Sequence, residues 1–463
     1  MTAERVVGDR AVVLGGSMAG LLAARVLADS YGEVVVVDRD GLTGTTSARR
    51  GVPQGRHVHG LLARGQQVLD ELFPGFTEEA VADGIPTGDL GELRWFFHGR
   101  RLRPAPTGLV CVSATRPRLE ALVRNRVAAL PNVRFLERRS VDGLIATPDR
   151  RAVTGVRVRG EGPDAAVEEL TADLVVDATG RGSRTPVWLS ELGYARPEED
   201  RIRIDLSYTT RIYRPREGRA LVDDLSINPV SSPSHPRGAF LSRIEDGCYV
   251  LSLTGVFGDA APTDPDGFLD WVRSLPVPDI HEVIRDAEPL GDPVQFRYPH
   301  SVRRRYERLT AFPDRLLVMG DALCSFNPVY GQGMTAAALE AVELREHLRA
   351  GAPRPLEFLR AVARVIDVPW DMSAGGDLAY PQVTGRRSLK VRVGNAYMAK
   401  VQAAATGDGA ITRAFMRVAG LVDPPGSMMR PGMVLRVLRA ARKVGRSRPV
   451  DGPVVAAGGA RAE

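Results

Sequence analysis

The chain has 463 residues, 44% of them hydrophobic and 25% charged, which is enough for two or three domains with their own cores and excludes general disorder. Its formal charge of +6 rests almost wholly on arginine, since Lys390, Lys400 and Lys443 are the only lysines, and this diffuse bias speaks against a nucleic-acid partner. No stretch reaches the roughly 18–20 apolar residues of a membrane-spanning helix, and MTAERVVGDR lacks the apolar core of a signal peptide, so a cytoplasmic protein is expected. Cys111, Cys248 and Cys324 suit neither a disulfide framework nor a zinc motif and are read as buried thiols.

Taken in order, residues 11–38 read strand, glycine turn, helix, strand: AVVLGG is apolar, SMAGLLAARVLADS has apolar positions at 3 and 4 spacing, and EVVVVD is a β-branched run ending in an acid. A helix is predicted over Leu61–Leu72, a hairpin in WFFHGRRLRPAP, and a second helix in SATRPRLEALVRNRVAAL with Pro117 in its first turn. VRFLERRSVDGLIAT, AVTGVRVRG and VEELTADLVVDATG follow as β-rich pieces. Between about 200 and 300, IRIDLSYTTRIY, GAFLSRI and CYVLSLTGVF alternate with period two, as in an antiparallel sheet with one open face. LLVMGDA returns to a buried-strand pattern, and from Gly331 the chain reads mostly helical.

The expected architecture is α/β: a Rossmann-like domain over 1–199 and 301–350, an inserted antiparallel-sheet domain over 200–300 and a helical region over 351–463. RPGMVLRVLRAARKVGRSR near the end is read as a helix packed by one face, with docking to an acidic carrier protein or a lipid surface as the alternative. The last residues, DGPVVAAGGARAE, are expected to fray.

The turn Gly15-Gly16-Ser17-Met18-Ala19-Gly20 has the GxGxxG frame with Ser17 in place of the middle glycine. Gly15 permits the tight turn, Gly20 lets helix and strand pack closely, and the amides at the helix start suit a pyrophosphate. Asp38, 18 residues after Gly20 and followed by Arg39, ends the second strand where an acid accepts ribose hydroxyls. Two further pieces accompany this unit: ADLVVDATGRGSR over 172–184, and LLVMGDALCSFNPVYGQGMTAAALEA over 316–341. Each also has a structural reading, with Gly20 and Gly180 serving close packing and Asp321 capping the next segment.

Together these motifs make the chain resemble the FAD-dependent monooxygenases of the p-hydroxybenzoate hydroxylase fold. The resemblance implies that Asp321 holds the flavin ribityl chain and that Pro328 and Gly331-Gln332-Gly333-Met334 lie at the pyrimidine end, where a helix N-terminus stabilises negative charge. It also implies that Arg49 reaches the pyrophosphate, that Gly51-Val52 passes beside the isoalloxazine, that Arg116 sits near the cofactor and that Val141 covers the adenine. FAD, with NAD(P)H or a reductase partner supplying electrons, would insert one oxygen atom through a flavin C4a-hydroperoxide in a dry pocket. No catalytic side chain is assigned.

GVPQGRHVHG places His57 and His59 two residues apart among glycines, a spacing that invites a metal reading. Zinc needs three or four ligands, and His98, His235, His281, His300 and His347 offer no partner motif, so no metal is assigned. The two histidines are read as facing flavin or substrate, with ordinary packing as the alternative. Tyr208, Phe240, Tyr249 and Phe296 are the expected pocket lining. Within the fold the motifs look most like actinobacterial natural-product enzymes, including the polyene epoxidases of polyether biosynthesis, which are similar to squalene epoxidase. The resemblance implies epoxidation or hydroxylation of a lipophilic intermediate, free or carrier-bound. A reductase of the geranylgeranyl type and a non-oxygenating flavin-binding, carrier-docking protein are the alternatives. A halogenase is not supported, because no lysine precedes Lys390 and no WxWxIP motif is present.

Overall fold

The strand Gly8–Leu14 is the middle of a five-stranded parallel sheet, in the order Leu316–Val318, Leu174–Asp177, Gly8–Leu14, Tyr31–Val37, Val133–Leu136. The computed structural model describes residues 6–162, 165–216 and 224–446; the segment 451–463, expected to fray, lies outside the described residues. Ala11–Leu14, Val34–Val36 and Val175–Val176 are completely buried, as near-continuous apolar runs must be when both faces of a parallel sheet are covered. Helix Met18–Leu27 packs against helices Arg116–Ala128 and Gly333–Ala350. A three-stranded antiparallel sheet, Val167–Thr171, Val153–Arg159 and Ser140–Ala146, lies against the strand Leu174–Asp177.

The second large sheet has eight strands, in the order Cys324–Ser325, Glu288–Arg304, Glu199–Arg214, Tyr249–Gly255, Gly238–Arg243, Ser226–Val230, Arg94–Phe97, Arg100–Arg101. The predicted hairpin at Arg94–Arg101 forms, and its first strand pairs with Ser226–Val230 in parallel, so the sheet is mixed and takes in strands beyond 200–300.

The expectation of one open face is corrected. Along Tyr249–Gly255, the residues Tyr249, Leu251 and Leu253 enter a core beneath helices Pro265–Arg273 and Asp279–Ile284. The alternate residues Val250 and Ser252 point the other way, toward the loop that carries His57 and Val58. Period two was therefore correct, but it divides an apolar core from a functional face rather than core from solvent.

Four helices follow the second large sheet's last strand and Gly333–Ala350: Pro355–Asp377, Leu389–Ala405, Gly409–Ala419 and Pro431–Arg446. The basic last helix packs by one face, with Val437 fully buried and Met433, Ala440 and Ala441 against the cluster of Val401, Ile411 and Phe415. Cys111 is half-buried, Cys248 and Cys324 are buried, and all three are free thiols. Among the described residues, no helix is long and apolar enough to cross a membrane.

Candidate active site

Gly15 adopts φ +99°, and a Cβ added there would sit 2.6 Å from the Ala178 carbonyl oxygen. At Gly20 the added Cβ would be 1.7 Å from the Gly15 oxygen, so the last glycine of the frame admits no side chain at all. Ser17 occupies the N-cap of Met18–Leu27 but makes no capping bond; its hydroxyl donates to Glu120 Oε2 at 2.6 Å. The first-turn amides around Met18 and Ala19 thus have no side-chain acceptor from the cap, which is the condition for holding an anion. Asp38 closes the turn from the other side: Oδ2 accepts from Gly16 N at 2.6 Å and Oδ1 from Asp40 N at 2.8 Å. Arg39 is exposed, and Val141 follows Arg139, whose amide donates to Asp38 O at 2.9 Å.

Gly320 adopts φ +65°, and its added Cβ would lie 2.6 Å from Ala19 Cβ. The GDA turn is therefore pressed onto the first helix start. Cβ atoms added at Gly180 and Gly333 would each come within 3.9 Å of Asp321. Motifs separated by some three hundred residues thus meet around one acid. Burial pushes the Asp321 carboxyl above its ordinary range, opposed by the guanidiniums of Arg181 and Arg116. Behind it, Gly320 N donates to Glu340 Oε2 at 2.6 Å, and burial raises Glu340 to about 8.

A charge cluster joins these turns, and its centre, Glu120, is a residue that sequence reasoning missed. Arg49 donates to Glu120 Oε1 through Nη2 at 2.5 Å and Nε at 3.1 Å, and to Asp40 Oδ2 at 3.1 Å. Arg116 Nη2 donates to Ser17 Oγ at 2.8 Å and Glu120 Oε2 at 3.0 Å. Burial alone would raise Glu120, but Arg116 and Arg49 outweigh it and hold the carboxyl below its usual range. Arg116 is only 6% exposed, yet its Nε and Nη1 have no protein partner. Two unpaired donors on a buried guanidinium beside uncapped helix amides fit the phosphates of a dinucleotide. Arg49, expected at the pyrophosphate, is paired with Asp38, Asp40 and Glu120 beside the glycine turn, where its Nη2 donates to Gly16 O at 3.3 Å. The available signal for Glu120 was its i,i+4 spacing from Arg116 on a helix start.

The histidine loop is pinned to the functional face of the mixed sheet. Gly51 N donates to Asp40 Oδ2 at 2.8 Å, and buried Val52 begins the short turn Pro53–Arg56. His57 Nδ1 lies 2.7 Å from Thr210 Oγ1, which lies 2.5 Å from Ser252 Oγ, and that hydroxyl accepts from Val58 N at 2.9 Å. The His57 ring sits between Tyr208 and Phe296, at centroid distances of 5.9 and 5.6 Å. His59 Nδ1 is 3.0 Å from the His57 carbonyl, which can only accept, so Nδ1 carries the proton. Burial, with Arg56 beside one ring and Arg116 beside the other, lowers both imidazoles to about 4 and keeps them neutral near pH 7. Among the described residues, no group of three or more His, Cys, Asp or Glu side chains could hold a metal ion.

Two cavities meet here. One of about 460 Å³ is lined by His57, His59, Tyr208, Thr210, Pro328 and Gly331. A larger one of about 1440 Å³ lies between the mixed sheet and the C-terminal helices. Leu62, Leu90, Trp95, Phe240, Val329 and Tyr330 line both, so they form the partition. At the partition, Asn327 Nδ2 and the Tyr330 hydroxyl donate to Asp377 Oδ1 at 2.8 and 3.3 Å, and burial raises Asp377 to about 7. Gln332, 1% exposed, precedes the helix start at Gly333 without capping it, and its Oε1 has no partner; Met334 is buried in the first turn.

Of the aromatic residues expected as lining, Tyr208 and Phe240 do line a cavity. Phe296 stands behind His57 and lines neither. Tyr249 is a correction: it belongs to the core on the opposite face, because an odd-numbered position on its strand points away from the cavities. Trp95, Tyr330 and Asp377 were not anticipated, since nothing in their local sequence marks a partition built from distant segments.

No family model matches the chain. It is 38% identical over 396 residues to Protein Rv3254 of Mycobacterium tuberculosis, covering 81% of each chain. It is 30% identical over 366 residues to the kynurenine 3-monooxygenase of Salinispora arenicola, covering 75% of this chain and 74% of that one. Among solved structures, a flavoprotein/dehydrogenase from Cytophaga hutchinsonii has the same fold, with a TM-score of 0.67 at 14% identity over 95% of this chain and 99% of that one. Uncapped amides, a buried arginine with unpaired donors and three glycine turns around Asp321 are thus found in a chain that belongs to the flavin-dependent monooxygenases.

Proposed function

We propose that the protein uses FAD, reduced by NAD(P)H, to insert one oxygen atom into a lipophilic natural-product intermediate by epoxidation or hydroxylation. The observation that carries this reading is the cavity of about 1440 Å³. It exceeds the roughly 300–1,000 Å³ usual for small-molecule sites and is walled largely by apolar side chains such as Ile204, Val256, Met372 and Phe415. An intermediate with an extended hydrocarbon body would fill it.

When bound, FAD supplies the reduction and activation of oxygen. The residues of this chain supply everything around it. Ser17, Met18, Ala19 and Arg116 would hold the phosphates, Asp38 with Arg39 the ribose, and Asp321 the ribityl hydroxyls, with Val141 over the adenine. The helix N-terminus at Gly333 would favour negative charge on the pyrimidine ring. Gly51, Val52, Pro328, Gly331, Gln332 and Met334 would border the ring, and neutral His57 and His59 would face it without adding a cation. The partition through Leu62, Trp95 and Tyr330 would exclude water from the reacting face.

The test is oxygen-18 incorporation. The FAD-loaded protein is supplied with NADH or NADPH, ¹⁸O₂ and a panel of long-chain alkenes and polycyclic aromatics; labelled epoxide or alcohol is the expected product. Turnover that is indifferent to oxygen would instead establish a double-bond reductase. A yellow protein that neither cofactor bleaches, with or without substrates and a partner reductase, would leave a flavin-binding protein without oxygenase activity.

A further inference from the structure

The large cavity opens between the C-terminal helices, and its rim is unusually apolar. Val368, Val393 and Met429 line it while being 38%, 53% and 56% exposed, so they stand where it meets solvent. Leu389, 73% exposed, lies one helical turn from Val393 and continues the same stripe. Val368, Val393 and Met429, drawn from two helices and a short turn, thus stand at one opening, with Leu389 beside them along its helix. An apolar rim around the entrance to an apolar cavity marks a surface that meets a membrane, a protein partner or an apolar ligand.

The charges nearby complete the pattern. The rim acids are already paired, Asp371 with Lys390 at 2.8 Å and Asp367 with Arg303 at 2.8 Å, whereas Arg386 on the same rim is exposed. Helix Leu389–Ala405 packs against Pro431–Arg446, and the latter turns Leu435, Arg439 and Arg442 outward. From Pro424 to Arg446 the sequence contains no acid. Exposed apolar side chains, with exposed arginines on the rim and on the helix packed beside it, are what an interfacial surface presents to anionic headgroups.

We propose that this face docks on an anionic lipid bilayer, so that substrate passes from the membrane past Leu389 and through the ring of Val368, Val393 and Met429 into the cavity. The proposal rests on the reading that the substrate is lipophilic. Charge alone would suit an acidic carrier protein as well, but it would leave the apolar ring without a function, and the ring is what favours lipid.

The FAD-loaded full chain is floated with vesicles of phosphatidylcholine, or of phosphatidylcholine with about one-third phosphatidylglycerol. The expected result is binding to the anionic vesicles and little to the neutral ones. L389E/V393E/M429E should abolish it, and R439Q/R442Q should weaken it roughly twenty-five-fold, about fivefold per lost cation near an anionic surface. Retained flavin absorbance and melting temperature establish that both variants fold. Three outcomes would overturn the proposal: no binding of the parent to either vesicle; loss in the arginine variant alone, which marks an acidic partner on the last helix; or a parent dimer that binds no vesicles and becomes monomeric in the apolar variant, which marks a second copy of the chain. None of these readouts needs turnover, so they are independent of the oxygen-18 result.

Discussion

Replacing Arg116 with methionine keeps the apolar stem and removes the guanidinium. In the protein, Nη2 holds Ser17 Oγ and Glu120 Oε2, while Nε and Nη1 are buried without partners. Charge-assisted hydrogen bonds contribute about 1.5–3 kcal/mol each; two made only with the cofactor, less the cost of desolvating its phosphates, leave about 3 kcal/mol. FAD affinity should then fall roughly a hundredfold, since about 1.4 kcal/mol corresponds to a factor of ten. The apoprotein should lose much less, on the order of 1 kcal/mol, because Glu120 keeps both of its bonds to Arg49. Arg116→Lys retains charge but not the planar fork and should fall between the two. Fluorescence titration of apoprotein with FAD gives the affinities, and melting with and without FAD separates binding from folding. An affinity within about a factor of two of the parent, in a variant whose apo melting is intact, would falsify the assignment of Arg116 to the phosphates.

Three further outcomes are expected. Asp321→Ala should purify colourless with its apo melting temperature near that of the parent, and full retention of flavin absorbance would remove that acid from the cofactor site. His57 and His59 titrate near 4 when folded and near 6.5 when unfolded, so the unfolded chain binds more protons and stability should fall as pH drops through that window. His57→Ala with His59→Ala should flatten this loss and shift the bound flavin spectrum, with zinc absent from the parent by elemental analysis; an unchanged acid profile would contradict the burial of both rings. Glu340 is raised to about 8, so the folded chain binds the extra proton and stability should decline as pH rises from about 4.5 to 8. Glu340→Gln keeps an acceptor for Gly320 N and should lack that decline, which chemical denaturation of apoprotein at pH 5 and 8 would show; equal slopes in parent and variant would refute it.

Much of the scaffold could be read locally. Alternating apolar runs, GGSMAG, DATG and GDA mark the parallel strands and their turns, because backbone conformations with positive φ at Gly15, Gly180 and Gly320 restrict residue choice at those positions whatever the rest of the chain does. Period two along Tyr249–Gly255 was equally local, but periodicity cannot say what covers each face. That ambiguity is why Tyr249 was expected in the pocket and lies instead in the core under Phe268 and Trp271.

The sequence by itself marked the dinucleotide scaffold, the acids at Asp38 and Asp321 and the turn residues of the histidine loop, since each is written in a short local run of residue types. Only the tertiary structure decided that Glu120 draws Arg49 and Arg116 together, that Trp95 and Tyr330 divide two cavities, and that exposed residues of separate C-terminal elements ring one opening. Those features depend on which distant surfaces are buried against one another, and the energy that selects the pairing belongs to the whole packed chain rather than to any stretch of it.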